Sequence, residues 1–250
     1  MSHRLPISLC LFSSTKGHHG RKTDWRITLD HWNKQVPLSL FNLVAHLKVS
    51  PDEEGLGNEM ESDLRGRGFH VIKTVGDWKR GLSHGESYLG DQIIVSKDPA
   101  IYKCPYFLLV EDDSPVVCNQ GTLEDLLLKS CDMLAANHEL VTVRTIRRGD
   151  YEGGVPQITP DEDPRYFWSP NTDFQPMILR SLDFYRLGVI LEANPEYCRQ
   201  VQCEALWAAI LRGFSRSEKR HLVWKPSFAE TIHIGVAEPE HSAALNKLSL

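Results

Sequence analysis

The sequence predicts an α/β fold with a mostly parallel central sheet flanked by helices. Three observations carry that expectation. Strand-like and helix-like segments alternate through residues 1–146, the pattern of parallel strands joined by helical crossovers. The run Phe107-Leu108-Leu109-Val110 shows no polar alternation, as expected of a strand covered on both faces. Three acids, Glu111, Asp112 and Asp113, follow it at once, and open α/β sheets place their ligands at the carboxyl ends of strands.

In chain order, Ile7–Ser13 reads as the first strand, followed by a polar loop, Ser14–Arg21, containing Gly17, His18, His19 and Gly20. Trp25, Leu29 and Trp32 then recur at helical spacing. Leu38–Val49 is a second β-like run, and the acidic, glycine-containing Ser50–Glu61 reads as a solvated connection. Phe69–Thr74 is a third strand, Ser87–Val95 a helix, and Tyr106–Val110 the strand that carries the acids. Thr122 is placed to cap a helix, with Asp125 at its third position and Leu123, Leu126, Leu127 and Leu134 on one stripe. Leu140–Ile146 is another strand.

The second half is irregular. Arg147–Pro170 contains Gly149, Gly153, Gly154 and four prolines, and so long a stretch inside a domain is either disordered or functional. Asn194-Pro195 starts a helix expected to reach Gly213. Leu222–Trp224 and Thr231–Val236 are short β-like pieces. There is no internal repeat, low-complexity tract or linker, so residues 1–250 form one expected domain. It divides into a regular half, 1–146, an irregular half, 147–236, and a loose tail, 237–250.

Charged residues at 24% and hydrophobic residues at 41% fit an ordinary soluble globular protein. A net charge of −5 without a basic stripe argues against nucleic-acid binding. The six cysteines form no C-x-x-C pair, which argues against a zinc or redox motif. Cys10 and Cys203 lie in apolar segments, where free thiols act as small hydrophobes. A reducing, cytoplasmic location is therefore expected. Ile7 to Phe12 is too short an apolar run for a transmembrane helix and lacks a signal-peptide cleavage site.

Consecutive carboxylates at the end of a buried strand repel one another and cost desolvation energy. A divalent cation removes that objection. Hard oxygen ligands suit Mg²⁺ or Mn²⁺, which can in turn hold a diphosphate. The plainer reading is an exposed acidic turn.

The layout resembles the GT-A fold of nucleotide-sugar glycosyltransferases, and Glu111-Asp112-Asp113 resembles the E-D-D variant of that fold's D-x-D motif. The opening is also similar: a strand, then Ser13-Ser14-Thr15-Lys16-Gly17-His18-His19-Gly20, then a helix bearing Asp30-His31-Trp32. The resemblance implies a nucleotide-sugar-binding half in 1–146 and an acceptor side in 147–236. It implies that Asp113 binds the metal, Glu111 faces the nucleotide ribose and Asp112 assists or orients. A histidine from a late β segment often joins the metal in this family, and His233 stands in such a place. Imidazole tilts the expectation from Mg²⁺ toward Mn²⁺.

Other candidates are weaker. Lys16 and His18, with His19 and Arg21, suit contact with a diphosphate through cations and backbone N–H groups, or simply a solvated loop. Arg147, with Arg148 and the glycines that follow, could close over a donor. Phe167 and Trp168 could stack on a sugar ring or merely pack. Glu204 falls on the side of its helix that carries Tyr197, Val201, Ala208 and Leu211, where desolvation suits a general base. An ion pair with Arg180 is the alternative, and Asp173 and Asp183 are rival bases.

The expected function is metal-dependent transfer of a sugar from a nucleoside-diphosphate donor, UDP-linked, to an acceptor hydroxyl of a carbohydrate or other molecule, leaning to inversion. A sugar nucleotidyltransferase is the first alternative; Lys16-Gly17-His18-His19-Gly20 is only a faint match to its phosphate loop. A non-catalytic carbohydrate-binding protein of the same fold is the second.

Overall fold

A computed structural model of the protein describes residues 4–16, 24–76, 82–145, 163–169, 176–200, 203–232 and 234. The first part contains β1 (Ile7–Ser14), α1 (Asp24–Gln35), β2 (Asn42–Val49), α2 (Glu54–Gly66), β3 (His70–Val75), α3 (Leu82–Ser96) and β4 (Tyr106–Glu111). Then come β5 (Val116–Cys118), α4 (Leu123–Ala136), β6 (Thr142–Arg144), β7 (Tyr166–Ser169), β8 (Met177–Arg180) and α5 (Ser181–Ala193). The described chain ends with α6 (Pro195–Gln200), α7 (Cys203–Arg212), β9 (His221–Trp224) and β10 (Ala229–Thr231).

Eight strands form one sheet in the order β3-β2-β1-β4-β8-β6-β9-β7. All run the same way except β8 and β7, which oppose their neighbours. The mostly parallel sheet read from the sequence is thus the observed one. β5 and β10 make a separate antiparallel ribbon, with Val116 opposite Thr231.

Side-chain alternation along the strands builds two cores. On one face Leu9, Leu11, Leu47 and Val110 are buried with Trp25, Leu29 and Trp32 of α1, Met60 and Leu64 of α2, and the leucines of α4. On the other, Cys10, Phe12, Phe107 and Leu109 are buried with Tyr88 of α3, Phe184 and Leu187 of α5, and Trp207 of α7. Phe107 and Phe184 stack with centroids 4.0 Å apart. The helix of Leu123–Ala136 starts as its sequence indicates: Thr122 Oγ1 accepts the Asp125 N–H at 3.2 Å.

Several elements differ from expectation. Ser50–Glu61 is not a solvated connection, because α2 begins at Glu54. Two early glycines weaken its helix propensity, but Met60 and Leu64, four apart, are buried against the sheet. Gly57 also lets the helix close on β2, since a Cβ there would lie 2.5 Å from Val49 Cγ1. Leu38–Leu40 is a 3₁₀ turn, and the second strand begins only at Asn42. Part of the stretch read as irregular, Tyr166–Ser169, is the outer strand β7. β8 and α5 had no counterpart in the sequence reading. The long helix expected from Pro195 is two helices, α6 and α7. Its apolar side does not hold together: Tyr197 is 57% exposed while Leu211 is buried. Of Thr231–Val236, Thr231 lies in β10; positions 233, 235 and 236, and the tail, fall outside the described residues.

Cys10, Cys104, Cys118, Cys131 and Cys198 are free thiols. Burial raises the Cys10 thiol's pKa and pushes that of Cys131 up to about 12. Among the described residues no helix is long and apolar enough to cross a membrane.

Candidate active site at the carboxyl ends of β1 and β4

Parallel pairing brings Phe12 beside both Glu111 and His46, and Ser14 beside Lys48. The acidic turn is fastened to this edge by four bonds. The Asp112 N–H donates to the Phe12 carbonyl at 3.1 Å. Ser13 Oγ donates to Asp112 Oδ2 at 2.6 Å, and the Ser14 N–H reaches the same oxygen at 3.3 Å. Thr28 Oγ1 donates to the Asp112 carbonyl at 2.6 Å. Two residues further, Trp32 Nε1 donates to the Ser114 carbonyl at 3.3 Å. The inward face of α1 is therefore the floor of the turn.

The three acids stand in different surroundings. Glu111 ends β4, and its Oε1 accepts the Tyr88 hydroxyl at 3.2 Å. Asp112 uses its carboxylate to hold β1. Asp113 is only 9% exposed, with Ser114 Oγ 3.2 Å from its Oδ1. Its carbonyl accepts the Ile234 N–H at 2.9 Å, and the Pro115 carbonyl accepts the Ile232 N–H at 3.0 Å. The strand pairing of β5 with β10 thus extends to the triplet. His233, the expected histidine ligand, lies between these two residues in sequence and is itself outside the described residues.

Lys16 reaches the same edge of the sheet, where its ammonium meets Asp52 Oδ1 at 2.7 Å. Both side chains of this pair are largely exposed, and such pairs add little to stability. The lysine and the Ser50 hydroxyl bring the Asp52 pKa down to about 2.

Sequence reasoning missed a buried ionic cluster beside the acids. Lys48 Nζ meets Asp91 Oδ2 at 2.9 Å, and Thr74 Oγ1 donates to Asp91 Oδ1 at 3.2 Å. His46 Nε2 lies 3.0 Å from Thr74 Oγ1 and 3.4 Å from Asp91 Oδ1. His46 Nδ1 is buried without a hydrogen-bond partner among the described residues. The Phe12 ring packs between His46, at 5.4 Å, and Tyr88, at 5.6 Å. The available signal was the polar alternation of His46 and Lys48 late in an otherwise buried strand.

His18, Arg147 and Asp173 lie outside the described residues. Glu204 is the second residue of α7, and its side chain is also outside them. Asp183 is a correction. It pairs with Arg180 at 3.3 Å and Arg186 at 3.4 Å. Arg180 stands opposite Tyr106, the first residue of β4. That is the amino edge of the sheet, roughly 17 Å from Glu111 at the rise of a strand, so Asp183 cannot serve as base here. Arg180 is committed to Asp183 and to the carbonyls of Leu134, Asn137 and Leu140. Phe167 and Trp168 lie on β7, four strands from β4, or about 19 Å. Phe167 packs on Val223, and Lys219 approaches the Trp168 ring.

Among the described residues no three His, Cys, Asp or Glu side chains group as a metal site. The carboxylates at the strand end still suit Mg²⁺ or Mn²⁺. Such an ion needs only one or two protein carboxylates when substrate phosphates complete its shell.

No family model matches the chain, and no curated protein matches it. Solved structures do. UDP-glucose pyrophosphorylase in its apo form superposes with a TM-score of 0.55 at 12% identity, over 97% of this chain and 98% of the other. The chain shares with it the fold of a mostly parallel α/β sheet flanked by helices. The same name recurs for a complex with UDP-glucose, at TM-score 0.54 and 11% identity over 97% of this chain and 99% of that one. A protein from Bacillus anthracis assigned as a glucose-1-phosphate thymidylyltransferase follows, at 0.51 and 10% identity over 98% and 96%. In this type of fold the carboxyl ends of β1 and β4 face the crevice beyond the sheet, which is where the acidic turn stands.

Proposed function

We propose that the protein uses a nucleoside-diphosphate sugar, UDP-linked, and transfers its sugar to an acceptor hydroxyl with the help of a divalent metal. One observation carries this reading: Asp113 is nearly buried at the end of β4, in a turn bonded to β1, to α1 and to the late segment at Ile234. An acidic surface turn has no need of such fastening. Glu111 faces the nucleotide ribose, while Asp112 orients the turn. Lys16, His18 and Arg147 meet the phosphates. Asp113 and His233 hold Mn²⁺ or Mg²⁺, which when bound supplies the charge neutralisation that a departing diphosphate requires. In the transfer the sugar–phosphate bond breaks, a bond to the acceptor oxygen forms, and a carboxylate takes the acceptor proton. Glu204 or Asp173, from the acceptor-side half, is the base to test.

A second reading is nucleotidyl transfer from a nucleoside triphosphate to a sugar phosphate. It is favoured by the names of the structures that share the fold over nearly their whole lengths. The products separate the two. Incubation with UDP-sugars, Mn²⁺ and a panel of acceptors should release UDP under the first reading. Incubation with UTP and sugar 1-phosphates should release pyrophosphate under the second. Neither product under any condition would leave a binding protein.

A further inference from the structure

We infer that two copies of this chain associate through α5, packed antiparallel about a two-fold axis at Val189. Large exposed apolar side chains gather on this side of the molecule. Leu182, Tyr185 and Val189 of α5 are joined by Tyr102, whose ring meets Tyr185 edge-on at 6.1 Å, and by Tyr197 of α6. Their exposure ranges from 38% to 57%. Grouped exposure of this kind marks an interaction surface rather than the usual scatter.

What covers it follows from the symmetry of the helix itself. A two-fold interface must be complementary to itself. Arg186 and Glu192 stand three residues on either side of Val189, so an antiparallel copy sets each arginine beside the partner's glutamate. Tyr185 and Ala193 stand four residues on either side, which matches a large side chain to a small one. Tyr185, Val189 and Ala193 also form an i, i+4 ridge, and two such ridges interlock at a crossing angle near −50°. At present the exposed Arg186 touches the buried Asp183, which Arg180 also meets, and Glu192 touches Lys97 in a pair exposed on both sides. Exposed pairs such as Glu192–Lys97 contribute little and exchange partners easily.

Sedimentation velocity on the full chain across a dilution series tests this without any nucleotide. The wild type should sediment as a dimer. Leu182→Asp, at an exposed position, should raise the dimer dissociation constant at least tenfold, as should Arg186→Glu or Glu192→Arg alone. The double reversal Arg186→Glu/Glu192→Arg should restore the wild-type constant, because both cross-axis pairs reform with inverted sign. Circular dichroism on each variant establishes that it folds; should Leu182→Asp not fold, the charge reversals alone decide. A monomer at every concentration would overturn the inference. So would a dimer that ignores these substitutions, or a double reversal no tighter than the single ones.

Discussion

Ser13 Oγ donates a 2.6 Å hydrogen bond to Asp112 Oδ2, joining the carboxyl end of β1 to the acidic turn after β4. The two residues are 99 positions apart in sequence, yet this bond is one of the four that fasten the turn carrying Glu111 and Asp113. A hydrogen bond to a charged acceptor contributes about 1.5–3 kcal/mol. Ser13→Ala should cost about that much stability in urea unfolding. It should also weaken nucleotide binding several-fold, because the turn loses one of its side-chain tethers while Asp113 stays intact.

Tyr88→Phe removes only the hydroxyl that reaches Glu111 Oε1 at 3.2 Å. The ring keeps its packing on Phe12, so the melting temperature should change little. If Glu111 reads the ribose, affinity for UDP should fall several-fold in calorimetric titration, and the preference for UDP over its 2′-deoxy counterpart should shrink.

Gly188→Ala tests the seam between α3 and α5. A Cβ at this position would lie 1.8 Å from Ser96 Oγ and 2.6 Å from Ser96 Cβ. Overpacking of this kind costs about 1–3 kcal/mol. Thermal unfolding should show that loss, and Ser96→Gly in the same chain should recover part of it.

Acid stability should depend on His221. Burial, followed by Arg144, Arg220 and Arg212, lowers its pKa from the ordinary 6.5 to about 3. The unfolded chain then binds a proton between those values that the folded chain refuses. Stability from this group is complete above pH 6.5 and falls toward pH 3 by up to about 1.4 kcal/mol per pH unit. Unfolding at stepped pH should show that slope in the wild type and a flatter one in His221→Asn. An equal slope in both would place the acid sensitivity elsewhere.

How far the sequence revealed the structure depends on how local each signal was. The strands β1, β3 and β4 were legible because short apolar runs bounded by polar residues define them. The Thr122 cap and the α4 stripe are equally local. α2 was not legible, because Gly55 and Gly57 speak against a helix and only the close approach to Val49 explains the second of them. Nor was α5, whose outward Leu182, Tyr185 and Val189 blur any single apolar stripe. The acidic turn was readable; its fastening to Ser13 and Thr28 was not, since those partners are distant in sequence. The same holds for Lys48 and Asp91, a buried pair whose members are 43 residues apart.

The most direct test is calorimetric titration of UDP and GDP with and without Mn²⁺, on the wild type and on Asp113→Asn. Binding of UDP that needs the metal, and that Asp113→Asn loses while remaining folded, is the predicted result. No binding of either nucleotide under any condition would contradict a nucleotide-sugar site at the end of β4.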